Sequence, residues 1–226
     1  MKNSTKITPQ VFNFLKGLKK NNNKEWLDDH RDAYLSSREI FHAFVHQLLE
    51  SMQKLDSDLQ TVESKKCLFR INRDIRFSKD KRPYKNNFGA FMNKGGKKSA
   101  TAGYYLHLEP GNSFVAAGIW MPEPEQVASI RQEIDYCLDE FKSIVKSGAF
   151  KKTFGAMDRE AELTRPPKGY PADHPGLEYL RLKSFTVTAA VEDDRLIDKR
   201  SLKTILSYYA AAVPLVKFIN RALTES

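Results

Sequence analysis

The chain has 226 residues, 41% of them hydrophobic and 29% charged, with 14 Phe, 9 Tyr and a formal net charge of +9. That length suits one large domain or two small ones, and the composition excludes disordered, collagen-like and fibrous classes. The longest nearly apolar run, Tyr208 to Val216 with Pro214 inside it, is far short of the ~20 residues a membrane helix requires, so no membrane contact is expected.

Residues 8–56 are predicted to be helical. Thr8-Pro9 is an N-cap followed by proline at the first helical position, and Val11, Phe12, Leu15 and Leu18 recur at helical spacing until Asn21-Asn22-Asn23 breaks the pattern. Trp26 and Leu27 open a second helix, and Phe41, Phe44, Val45, Leu48, Leu49 and Met52 give a third with a clear apolar stripe. His42 and His46 flank that stripe four residues apart, but no glutamate lies between them, so the zinc-protease helix is not matched and both are expected at a boundary.

Residues 67–121 are expected to form a basic strand, a loop and a hairpin. From Cys67 to Phe77 the period turns to two: Cys67, Phe69, Ile71, Ile75 and Phe77 on one face, Leu68, Arg70, Asn72, Asp74, Arg76 and Ser78 on the other. Arg73 falls in the apolar series and requires a carboxylate partner. Asn93 to Ser99 is a glycine- and lysine-rich loop; Gly96-Lys97 is followed by Lys98 and preceded at the key position by Phe91, which rejects a phosphate loop. Strands Gly103–Glu109 and Ser113–Met121 follow, joined through Pro110-Gly111-Asn112. A long helix over 124–147, an ordered loop over 165–176, a strand over 183–191 and a C-terminal helix over 198–223 complete the expectation: one α+β domain, 1–226, with an antiparallel sheet packed against N-terminal, central and C-terminal helices.

The charge excess is local. Lys65 to Lys98 holds twelve of the 37 Lys and Arg but only Asp74 and Asp80 of the 28 acidic residues, a segment of +10 in an otherwise balanced chain. Such a field attracts polyanions. If 67–77 and 103–109 share one sheet, then Arg70, Asn72, Asp74, Arg76, Tyr105, His107 and Glu109 share its polar face, with Lys81, Arg82 and Lys85 beyond the strand end. Guanidinium forks two residues apart suit phosphate, and Tyr84, Tyr104 and Tyr105 are available to stack on bases.

Three functions are therefore expected in competition. The first is binding of a phosphate-bearing ligand or nucleic acid through Arg70, Asn72, Arg73, Arg76, Lys81, Arg82, Tyr84, Lys85 and Tyr105. The second is an enzyme acting on a phosphorylated small molecule, with His107 or Asp74 in proton transfer. The third makes the motif structural, with Arg73 and Asp74 in a buried ion-pair network. A closed pocket favours the enzyme and an open basic face favours nucleic acid. His174, in Asp173-His174-Pro175-Gly176, is expected to pack a turn. Cys67 and Cys137 show no CxxC spacing, and neither a metal nor a cofactor is assigned. The N-terminus, with no apolar signal region, points to the cytoplasm.

The run from Arg70 to Lys85, RINRDIRFSKDKRPYK, resembles the hallmark of the conserved-hypothetical family catalogued as domain of unknown function 2461. Gly103-Tyr104-Tyr105-Leu106-His107-Leu108, Gly118-Ile119-Trp120-Met121-Pro122, Arg131 to Ile134, Lys168-Gly169-Tyr170 and Asp173-His174-Pro175 fit the same pattern. The resemblance covers the chain from about Val11 to the C-terminal helix. It implies a single cytosolic α+β domain and brings with it no assigned reaction, cofactor or catalytic residue.

Overall fold

In the computed structural model, residues 6–76, 79–97 and 99–224 are described; Phe77, Ser78 and Lys98 lie outside them. Thr8 and Pro9 start α1 (Pro9–Lys20), whose Val11, Phe12, Phe14, Leu15 and Leu18 are buried. Asn23 caps α2 (Lys24–Asp29) by accepting the Trp26 N–H, and α3 (Arg31–Met52) buries the predicted stripe. A short helical turn, α4 (Ser64–Cys67), precedes strands β1 (Phe88–Asn93), β2 (Gly103–Leu108) and β3 (Phe114–Ile119). Next come α5 (Pro124–Tyr136), α6 (Leu138–Lys146), α7 (Gly148–Phe154) and α8 (Leu177–Leu180). The chain ends with β4 (Phe185–Ala190), α9 (Asp193–Ile197) and α10 (Ser201–Thr224).

The four strands form one antiparallel sheet in the order β1-β2-β3-β4, so the α+β expectation holds. The register places Phe88, Ala90, Met92, Tyr104, Leu106, Leu108, Val115, Ala117, Ile119, Phe185 and Val187 on one face, all buried. Strand residues two apart share a face, and the sheet packs against α10 and α3. By length and composition α10 is apolar enough to cross a membrane, but Ile205, Tyr209, Leu215, Phe218 and Ile219 are spent on the core. Its Asn220 clamps the start of β2, accepting the Ala102 N–H at 2.8 Å.

Three expectations are corrected. Residues 67–77 are not a strand: Ser64–Cys67 is helical, Leu68 forms a single bridge to Ala90, and Asn72 forms another to Tyr84. Arg73 N–H donates to Pro83 O and Lys85 N–H to Ile71 O, so residues 71–73 pair with 83–85 at the base of a projecting loop. The alternation was real, but it served two short pairings; Phe69 and Ile75, assigned to the buried face, are 38% and 37% exposed. The strand neighbouring β2 is instead Phe88–Asn93, which the sequence reading passed over. The helix expected over 124–147 is broken at Cys137 (φ −114°, ψ 39°), where α5 ends and α6 begins.

Candidate functional site

The other face of the sheet lines a groove. The register gathers Gly89, Phe91 and Asn93 of β1, Gly103, Tyr105 and His107 of β2, Phe114, Ala116 and Gly118 of β3, and Thr186 and Thr188 of β4. Above this face lies a groove of about 920 Å³, within the ~300–1,000 Å³ range of small-molecule sites. Its floor is low because Gly103 and Gly118 have no side chains. A Cβ on Gly118, whose φ is +115°, would lie 2.0 Å from Phe185 O, and one on Gly103 would lie 2.5 Å from Met92 O. Close strand packing requires both glycines, and the groove inherits the bare backbone.

One wall comes from the basic segment. Phe69 N–H donates to Gly89 O at 2.9 Å, fixing residue 69 to the outer edge of β1. Lys85 Nζ and Lys97 Nζ stand over the Phe69 ring at 5.3 and 5.0 Å from its centroid, and Lys97 also donates to Leu68 O. Among the described residues neither lysine has a carboxylate ion-pair partner. Burial pushes both ammonium pKa values down, helped at Lys85 by the positive charges of Arg70, Lys97 and Arg73. Asn22 secures this wall: its Oδ1 accepts the Tyr84 N–H at 3.0 Å, and its Nδ2 donates to Tyr84 O and Asn86 Oδ1.

On the floor, Tyr105 and His107 form a chain that continues to Glu109, just past the end of β2. Tyr105 Oη lies 3.0 Å from His107 Nδ1, and His107 Nε2 lies 3.3 Å from Glu109 Oε2. Asn87 Nδ2 donates to the same Nδ1 at 3.3 Å, which makes Nδ1 the acceptor and places the ring proton on Nε2 toward the carboxylate. Phe114 stacks on the imidazole at 4.5 Å and 11°. Burial lowers the His107 pKa, against the opposing pull of Glu109, and pushes the Tyr105 phenol up to about 12. Glu109 is held below the usual carboxylate range: burial acts to raise it, but hydrogen bonds from His107, Asn112 and Lys19 outweigh that. The chain thus rests as phenol, neutral imidazole and carboxylate.

The remaining sequence candidates are placed elsewhere. Arg70, Asn72, Asp74 and Arg76 do not share the face of Tyr105 and His107, because their segment leaves the sheet as the projecting loop. Asp74 takes Arg76 through Nε at 2.9 Å and Nη2 at 2.7 Å, and Asp80 takes Arg82 and Arg73, the latter at 2.7 Å. These hydrogen bonds, Arg82's foremost, hold Asp80 well below the carboxylate range. Lys81 Nζ donates to Ile75 O. Arg73 therefore has its expected carboxylate, but the pair is half-exposed, which corrects the buried network. Arg73, Asp74, Lys85, Asn87 and Glu109 do line a smaller hollow of about 430 Å³ beside the groove.

Two tyrosines offered for stacking are withdrawn into the core: Tyr84 is buried, and fully buried Tyr104 donates to Asp56 Oδ2 at 2.7 Å. His42 Nε2 and His46 Nδ1 both meet Ser64 Oγ, at 3.1 and 3.3 Å, tying α4 to α3. His174 packs its turn as expected, with Nε2 on Asp135 at 2.8 Å and Nδ1 accepting the Gly176 N–H. Among the described residues no three His, Cys, Asp or Glu side chains converge as a metal set. The sequence reading missed Phe69, Phe91, Phe114, Asn87 and Lys97 as groove residues; extending period-two counting to Phe114 and Ala116 would have found part of the floor.

No curated protein matches the chain, and no solved structure does. A family model described as "Conserved hypothetical protein (DUF2461)" matches residues 10–218. That span includes all four strands, the projecting loop and every groove residue, and the chain belongs to this family.

Proposed function

We propose that the groove binds a small phosphate-bearing molecule and that Tyr105 and His107 transfer a proton on it. One observation carries this: two half-buried lysines, without carboxylate partners among the described residues, stand in the same cavity as Tyr105 and His107, whose hydrogen-bond chain runs on to Glu109. A half-buried ammonium group is costly without a counter-charge, and a bound anion removes that cost. Tyr105, neutral at pH 7, gives its phenolic proton to the ligand and regains one from water; His107, with Nδ1 facing the phenol, takes up a proton released by the ligand, and Glu109 stabilises the imidazolium so formed. A positioned acid–base pair of this kind contributes about 10²–10⁴ in rate. The concave shape favours a small molecule over a nucleic-acid strand. Arg73 is placed to extend the anion site into the adjoining hollow, whereas Arg70, Arg76, Lys81 and Arg82 supply long-range attraction.

The test is a thermal-shift panel of pyrophosphate, ribose 5-phosphate and a single-stranded oligonucleotide on wild type, Lys85→Met and Lys97→Met. The small phosphates should raise the wild-type Tm, and both variants should lose the rise. No shift with any phosphate at millimolar concentration sinks the proposal; binding of the oligonucleotide alone transfers the function to nucleic acid. Proton transfer is checked by calorimetry of the small-phosphate complex in buffers of different ionisation enthalpy. Net proton exchange should be present in wild type and absent in His107→Gln.

A further inference from the structure

The groove is chemically different at its two ends. Strands lie about 4.8 Å apart, so β1 to β4 spans about 14 Å. At the β1 end stand the lysines over Phe69. In the middle, Gly103, Ala116 and Gly118 leave a bare strip of backbone, and beside it stand Trp120, 75% exposed, and Met121, 54% exposed. Met121 has φ +47°, the left-handed region that a non-glycine residue enters at a cost and that clusters at ligand sites. Its N–H donates to Ser184 Oγ at 2.9 Å, which anchors the turn presenting Trp120.

Beyond β4 the lining turns to hydrogen-bond acceptors. Asp158 and Glu160 border the groove with Thr186 and Thr188. Asp158 is fixed in place, its N–H donated to Thr186 O at 2.9 Å and its Oδ2 accepting the Thr188 hydroxyl at 2.8 Å. A ligand filling the groove therefore needs an anion at one end, a flat ring in the middle and N–H donors at the other end. An exposed tryptophan beside a bare strip offers an aromatic ring large apolar contact, and carboxylates accept from amines.

We propose that the groove takes a nucleoside monophosphate whose base carries an exocyclic amine. The phosphate lies on Lys85 and Lys97, the base lies on the Gly103–Gly118 strip beside Trp120, and the amine points to Asp158 and Glu160. This assignment rests on the anion-binding function proposed above and names its ligand class.

The chain has two tryptophans, and Trp26 of α2 stacks on His30, which caps that helix, at 4.0 Å, so Trp26→Phe leaves Trp120 as sole reporter. Its fluorescence is titrated with two matched pairs, adenosine against inosine monophosphate and cytidine against uridine monophosphate, and calorimetry gives the affinity of ribose 5-phosphate. The amino member of at least one pair should change the Trp120 emission. It should bind at least about tenfold tighter than ribose 5-phosphate and about fivefold tighter than its oxo partner. By calorimetry, Trp120→Ala should weaken that nucleotide and leave ribose 5-phosphate unchanged, while Lys85→Met should weaken both ligands alike. Equal affinity for nucleotide and ribose 5-phosphate, or for both members of each pair, overturns the assignment and leaves the anion site standing. Failure of ribose 5-phosphate, pyrophosphate and every nucleotide to bind removes both.

Discussion

The projecting loop and the open sheet face divide the basic segment between them, and they handle charge in opposite ways. In the loop, Arg73, Arg76 and Arg82 are folded onto Asp74 and Asp80 in pairs 2.6–2.7 Å apart, of which Arg76–Asp74 is water-exposed and Arg73–Asp80 half-exposed. On the sheet face, Lys85 and Lys97 are half-buried over Phe69 with no carboxylate opposite. Three arginines of the run are thus tied down by its own two carboxylates, although the run keeps a net positive charge, while the two lysines at its edges have no carboxylate opposite among the described residues. Exposed pairs contribute little because water and salt screen them; unmatched half-buried charges are costly to keep and mark a candidate site.

The sharpest break of this contrast removes the floor beneath it. Gly118→Ala places a methyl group against Phe185 O at a backbone angle alanine avoids, and should cost on the order of 3 kcal/mol. Thermal denaturation should show a fall in Tm on the order of 10 °C. If Gly118→Ala melts like wild type, the groove floor is not built as described. Next, Lys85→Met should weaken binding of pyrophosphate by at least about tenfold. Its thermal stability without ligand should be unchanged or higher, because a desolvated charge has gone.

The pH response separates the same two regions. The folded His107 pKa lies below its ordinary value of 6.5. The unfolded chain therefore takes up a proton first as pH falls below about 6.5, and stability drops from there toward the folded pKa. His107→Gln should remove that part of the pH dependence, read as ΔG of urea unfolding between about pH 7 and pH 5. Glu109, with a lowered pKa, contributes stability above its unfolded value near 4.5 and loses it at more acid pH, so its loss begins lower than that of His107. The smallest effect belongs to the loop. Arg76→Ala and Arg82→Ala should leave Tm near wild type and change pyrophosphate affinity by no more than about twofold at physiological salt. A tenfold loss in either variant reverses the contrast and moves the site to the arginines.

Much of the fold is legible in the residues. The stripe Phe41–Met52, the Thr8-Pro9 start, the hairpin around Gly111 and the alternation of Phe185, Val187 and Ala189 each follow from one period and one local signal. β1 escaped because its open-face residues are Gly89, Phe91 and Asn93, so no polar alternation marks it. The break at Cys137 carries neither glycine nor proline. Of the site, Tyr105, His107, Glu109 and Lys85 could be named in advance from alternation and charge.

The α+β class, the helical ends, the hairpin and the local excess of positive charge can be read from the residues, because periodicity, turn chemistry and composition act over a few neighbouring residues. Tertiary structure alone decided which charges face the groove. Pairing Leu68–Phe69 with β1 and residues 71–73 with 83–85 turns the arginines outward onto Asp74 and Asp80 and leaves Lys85 and Lys97 over the sheet. That outcome depends on strand register and on contacts between residues far apart in the chain, which no local pattern encodes.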